Sequence, residues 1–143
     1  MSAPADFTRP LPRPTALSEP FWAGCREGKL LVQQCANCRA HVFIPREFCP
    51  FCHGETLEWV VGSGCGTVVT YTAVWRAQTP AFEVPYVVAV VRLAEGYEML
   101  TNIVGVPPEE VRIGAAVRVH FVPVTTEITL PCFRLDPDAE DAQ

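Results

Sequence analysis

The chain holds 143 residues, 49% hydrophobic and 19% charged, and its 11 Lys+Arg against 16 Asp+Glu leave a net charge of −5. That length suits one ordinary domain or two very small ones, and the hydrophobic content excludes intrinsic disorder. A net-acidic chain with one lysine, Lys29, has no global cationic surface for generic nucleic-acid binding.

Residues 1–16 carry Pro4, Pro10, Pro12 and Pro14 and read as an extended arm. The opening MSAPADFTRPLPRP has no basic run followed by an apolar one, and the longest apolar stretch, Val84–Val91, is about half a membrane span. A cytosolic protein is expected. Over 17–28 the spacing predicts one short helix, with Ser18 as N-cap, Pro20 in the first turn and Gly28 as the stop. Leu30-Leu31-Val32 reads as a short strand leading into a cysteine cluster.

Within 29–55, Cys35-Ala36-Asn37-Cys38 and Cys49-Pro50-Phe51-Cys52 are two C-x2-C knuckles ten residues apart. Each knuckle can wrap one side of a tetrahedral ion, and the loop returns the second pair to the first. Zn2+ held by four thiolates is the expected occupant. Iron fits the same cage, and the sequence leaves that choice open. All four positions would be filled by the chain, so the ion would be structural, and its binding would supply the folding energy of a segment with almost no core. Cys49-Pro50-Phe51-Cys52-His53 also matches a haem-attachment string, but that reading needs export and leaves Cys35 and Cys38 idle. A thioredoxin-like pair needs a βαβ context that is absent. His41 and His53 read as surface groups, and Cys25, Cys65 and Cys132 as small buried hydrophobes. His120 is the one base in the barrel available to a cysteine nucleophile, and no catalytic constellation is assigned.

Beyond Gly54 the texture becomes that of strands. Leu57–Val61, Thr67–Trp75, Tyr86–Leu93, Met99–Val104, Val117–Val122 and Ile128–Leu135 are rich in β-branched and aromatic residues. Turn residues such as Gly62-Ser63-Gly64, Gln78-Thr79-Pro80 and Glu95-Gly96 separate them. Pro107–Gly114 reads as one capped helical turn. Short strands with one interposed turn over 56–135 fit a five-stranded OB-fold barrel. Residues 136–143, with four acids, read as a solvated tail. The predicted class is mainly β: a helix, a zinc ribbon and a C-terminal barrel.

The order of these features resembles a known family, the rubredoxin-like zinc-ribbon plus OB-fold proteins associated with acyl-CoA metabolism. The resemblance is carried by Glu19-Pro20-Phe21-Trp22-Ala23-Gly24, by Gly28–Cys35, by the two knuckles and by Leu57-Glu58-Trp59-Val60. Ser63–Thr72, Pro85–Ala89, Leu100–Gly105 and Val111–Gly114 extend it over nearly all of 17–135. It implies a small, usually non-catalytic partner of a thiolase-like subunit, in complexes that form or cleave carbon–carbon bonds on CoA thioesters. The chain departs from the family's usual knuckle at Arg39, where glycine commonly follows the second cysteine.

Phe21, Trp22, Phe43, Ile44 and Phe51 are expected to meet that partner, because a helix and ribbon this small have little interior to hide them in. Arg76, Arg92, Arg118 and Arg134, in or beside barrel strands, are candidates for contact with the phosphates of an acyl-CoA at the shared interface. The alternative is a single-stranded nucleic-acid binder using Tyr71, Trp75 and Tyr86 for base stacking. The −5 charge weighs against it.

Overall fold

The computed structural model describes residues 10–77 and 79–137; most of the expected arm, Gln78 and most of the acidic tail lie outside the described residues. No helix among those described is long and apolar enough to cross a membrane.

Helix α1 spans Glu19–Arg26 and buries Phe21, Gly24 and Cys25 on one face. Ser18 precedes it, but its side chain does not cap the helix. The hydroxyl instead accepts the Thr15 N–H at 2.9 Å, while Ser18 N–H reaches the Thr15 carbonyl at 3.1 Å. The hydroxyl is thus spent on the turn before the helix. The stop is as expected: Gly28 sits at φ +78, its N–H bonds the Cys25 carbonyl, and Lys29 N–H bonds that of Gly24. This paired closure needs a left-handed residue after the last turn. A side chain at Gly24 would strike Leu31 Cγ at 2.7 Å, so its absence lets α1 press onto the next strand.

That strand, β1 (Leu31–Cys35), is the centre of a three-stranded antiparallel sheet with β2 (His41–Val42) and β3 (Leu57–Val61). The segment Leu57–Val61, expected within the barrel, pairs with β1 from Leu31↔Val61 to Cys35↔Leu57. The loop that returns the second knuckle to the first also carries this segment back alongside β1.

The remaining strands are β4 (Cys65–Val74), β5 (Tyr86–Leu93), β6 (Glu98–Ile103), β7 (Ala116–Pro123) and β8 (Thr129–Leu135). They close in the order β4-β5-β6-β8-β7, with β6 and β8 parallel at Ile103↔Phe133. A 3-10 turn, Pro108–Glu110, lies between the third and fourth barrel strands, the place an OB-fold reserves for its helix. A bulge between Val68 and Thr70 bends the long strand β4.

The two halves share one core. Phe21 and Cys25 of α1, with Leu30 and Val32 beside and within β1, cluster with Val68, Val91, Val117 and Phe133 of the barrel. Cys35, Val42 and Cys49 form a second, smaller cluster inside the ribbon.

Candidate metal centre and the faces around it

The two knuckles are built as near-copies. Cys35 N–H bonds the Ala40 carbonyl and Arg39 N–H the Cys35 carbonyl; Cys49 N–H bonds the Gly54 carbonyl and His53 N–H the Cys49 carbonyl, each at 2.9 Å. Arg39 and His53 occupy the same left-handed position, at φ 68 and 63. The arginine therefore departs from the common glycine in residue type and not in backbone shape.

These turns bring the Cys35, Cys38, Cys49 and Cys52 sulfurs within 4.8 Å of one another, with Cys35–Cys52 and Cys38–Cys49 both at 3.6 Å. A tetrahedron with metal–sulfur bonds of about 2.3 Å has edges of about 3.8 Å, so the four donors fit a tetrathiolate ion. Backbone N–H groups of Asn37 and Cys38 point at Cys35 Sγ, Phe51 N–H at Cys49 Sγ and Gly54 N–H at Cys52 Sγ, at 3.3–3.4 Å. The Asn37 side-chain amide and the Gly54 N–H together hold the Cys52 thiol down at about 6. Cys35 and Cys49 are buried, Cys52 is half-buried and Cys38 is exposed. No histidine joins this group among the described residues, and His41 lies instead near the ring of Tyr97.

Two supporting residues escaped the sequence reading. Gln33, 4% exposed in the middle of β1, donates to the Arg46 carbonyl at 3.0 Å and accepts Arg46 N–H at 2.7 Å, pinning the loop that leads to the second knuckle. Its signal was a polar residue at a core position of a strand. Asn37 is the other, and inside a knuckle nothing marked it as more than a spacer.

The aromatic residues divide. Phe21, expected at a partner surface, is 5% exposed, and it packs edge-on to Trp22 at 5.1 Å and against Phe43 at 5.7 Å. Phe43 in turn stacks on Tyr97 of the β5–β6 connection at 5.5 Å. Phe21 is thereby corrected to a core residue, and Trp22 and Phe43 are half-buried around it. The barrel supplies the apolar cover that helix and ribbon lack alone. Ile44 and Phe51 do face solvent, at 65% and 68%, and Phe48 joins them at 53%. Ile44 and Phe48, with Leu17, Pro45 and Pro50, border a groove of about 500 Å³ at the ribbon tip.

The barrel separates the four arginines. Arg118 and Arg134 are directly opposed on β7 and β8, with Asp136 at 3.3 Å from Arg118. Arg92 pairs with Glu98 across β5–β6. Arg76 lies past the Val74 end of β4, away from Thr67, the partner of Arg92. Of the rings considered for base stacking, Tyr86 stacks on Phe82 at 5.8 Å and Tyr71 packs against the core, while Trp75 is exposed. A second groove, of about 470 Å³, runs over the barrel between Phe82, Tyr86, Val104, Leu130 and Cys132, and among the described residues Glu83 is the one charged group in its lining.

Comparison with known proteins accounts for this architecture. A family model described as "ChsH2, rubredoxin-like zinc ribbon domain" matches residues 22–58, and "ChsH2, C-terminal OB-fold domain" matches 59–122. A "DUF35 domain-containing scaffold protein" of Methanocaldococcus jannaschii is 38% identical over 104 residues, which cover 70% of this chain and 73% of that one. The chain belongs to the ChsH2/DUF35 family. A "Probable enoyl-CoA hydratase alpha subunit" of Thermomonospora curvata is 37% identical over 80% of this chain, but the match spans only 36% of that longer protein. Among solved structures, "Ltp2-ChsH2(DUF35) aldolase" superposes with a TM-score of 0.81 at 34% identity, covering 87% of this chain and 98% of that one.

Proposed function

We propose that this chain is a zinc-containing, non-catalytic accessory subunit of a thiolase-like protein that forms or cleaves carbon–carbon bonds on acyl-CoA thioesters in the cytoplasm. The observation that carries the reading is the likeness to the ChsH2(DUF35) chain, a relative described together with Ltp2 as an aldolase and matched over 98% of its length. The words "scaffold protein" and "alpha subunit" attached to other relatives support the same role.

Zinc is the occupant proposed for the four cysteines, because a closed tetrathiolate suits an ion without redox or geometric demands. Its work is to hold the ribbon tip in shape. Ile44, Phe48 and Phe51 stand on that tip, and an exposed apolar cluster of this kind marks an interface. The Arg118–Arg134 pair is the proposed contact for CoA phosphate, since two guanidinium groups against one carboxylate leave a local positive charge. The barrel groove does not favour nucleic acid: among the described residues its lining has an acidic side chain and no arginine.

The test is affinity capture of the tagged chain from its native host, followed by assay of the captured chain on acyl-CoA substrates with and without this subunit. Capture of a thiolase-like chain that loses activity or solubility when the subunit is left out is expected. A partner equally soluble and active without it ends the proposal.

A further inference from the structure

The likeness of the two knuckle backbones makes one of their side-chain differences stand out. Ala36 corresponds to Pro50, Arg39 to His53 and Ala40 to Gly54, and the residue before the second cysteine is Asn37 in one knuckle and Phe51 in the other. Phe51 turns out to solvent and is 68% exposed. Asn37 is exposed as well, but its side chain reaches across the cage. Its side-chain Nδ2 crosses to the second knuckle and donates to Cys52 Sγ at 3.4 Å, while its own backbone N–H serves Cys35 in the first knuckle. One residue therefore touches sulfurs of both knuckles.

Gly54 lies beside this bond: a side chain there would sit 3.3 Å from Cys52 Sγ, slightly tight, and in ordinary contact with Asn37 Cβ at 3.6 Å and Cys35 Sγ at 3.7 Å. Groups that hydrogen-bond a metal ligand fix its orientation and are worth about 10–100-fold in metal affinity when lost. Hydrogen bonds to thiolate sulfurs also draw off electron density and are among the controls on the potential of a tetrathiolate iron centre.

We propose that Asn37 is a metal-positioning residue: its amide bond to Cys52 ties the two knuckles together across the cage, slows metal release and lowers the electron donation of that thiolate. The inference rests on the four cysteines holding a metal, and the experiment tests the two separately.

The full-length chain is loaded with Zn2+, with Co2+ and with iron, as wild type, Asn37→Leu and Phe51→Leu. Leucine nearly matches asparagine in shape, carries no donor, and keeps the backbone N–H to Cys35. Release of zinc to excess EDTA is expected to be at least about tenfold faster in N37L than in wild type. The thiolate-to-Co2+ absorption band should move to lower energy in N37L, and the iron potential should become more negative, because an unbonded thiolate donates more strongly. F51L, at the corresponding position, should match wild type in all three. Release within twofold of wild type overturns the proposal. So does faster release with an unchanged band and potential, which would make Asn37 a packing residue only. A wild-type chain that takes up no stoichiometric metal fails at the earlier step, and that result is separately visible.

Discussion

The Glu95 carboxylate, at the tip of the β5–β6 hairpin, accepts the backbone N–H of Ser63 at 2.6 Å and its hydroxyl at 3.3 Å. Ser63 lies in the Gly62-Ser63-Gly64 segment that joins the ribbon sheet to the barrel. Two glycines alone would leave this joint loose, so Glu95 acts as its latch. Because the bond is exposed and water can replace it, Glu95→Ala should cost only about 1 kcal/mol. Urea unfolding should show a lower midpoint with the same slope. An unchanged midpoint would mean that the shared core alone holds the joint.

Metal removal should be felt in the barrel. The ribbon's β1 and the helix contribute Phe21, Leu30 and Val32 to the cluster that contains Val68, Val91 and Phe133. Loss of the ion lets the knuckles open and weakens the anchoring of β1, which ends at Cys35. Cys35→Ser, or exhaustive chelation, should therefore lower the melting temperature followed by the barrel's far-ultraviolet signal. A barrel that melts at the wild-type temperature after complete metal loss would show that the two parts fold independently.

What could be read in the sequence follows from how local each cause is. Cysteine spacing fixes the knuckles because ligand geometry acts over four residues, and Gly28 ends its helix through its own φ. Strand texture located the barrel because alternation is a property of each strand. The placement of Leu57–Val61 was not legible, since its β-rich composition suits either sheet and only the return of the knuckle loop selects β1. Phe21 failed for the same reason: it packs on Phe43, and Phe43 on Tyr97, only after helix, ribbon and barrel have come together. Asn37 and Gln33 act across the ribbon through side-chain bonds, one from Asn37 and two from Gln33, which no local pattern announces.

The residues that follow each second cysteine should be improvable. Arg39 and His53 are held at positive φ, a conformation that disfavours residues with a Cβ. The side chain of Arg39 is exposed, and it is the Arg39 carbonyl that accepts the Gln34 amide, so glycine keeps that bond. Arg39→Gly should raise stability by about 1 kcal/mol in the metal-loaded protein. Thermal unfolding is the measurement. A lower melting temperature would mean that the arginine's charge beside the tetrathiolate outweighs its backbone strain.

The buried thiol of α1 should set an alkaline limit. Burial pushes Cys25 from its ordinary value of 9.0 up to about 12, with Arg26 opposing only in part. Burial, helped by Glu95, also raises the Tyr97 phenol above its usual range. In each case the folded value lies above the unfolded one. The stability linked to Cys25 is therefore complete below pH 9 and is lost as pH climbs from about 9 towards 12. Within that window one such group steepens the decline by up to about 1.4 kcal/mol per pH unit. Cys25→Ala removes this share, whatever it costs at neutral pH through lost packing. Urea unfolding at pH 8, 9.5 and 10.5 should give a shallower fall for C25A than for wild type, with Tyr97 accounting for part of what remains. Parallel slopes would mean that the Cys25 thiol meets water in the folded protein and titrates there as it does in the unfolded chain.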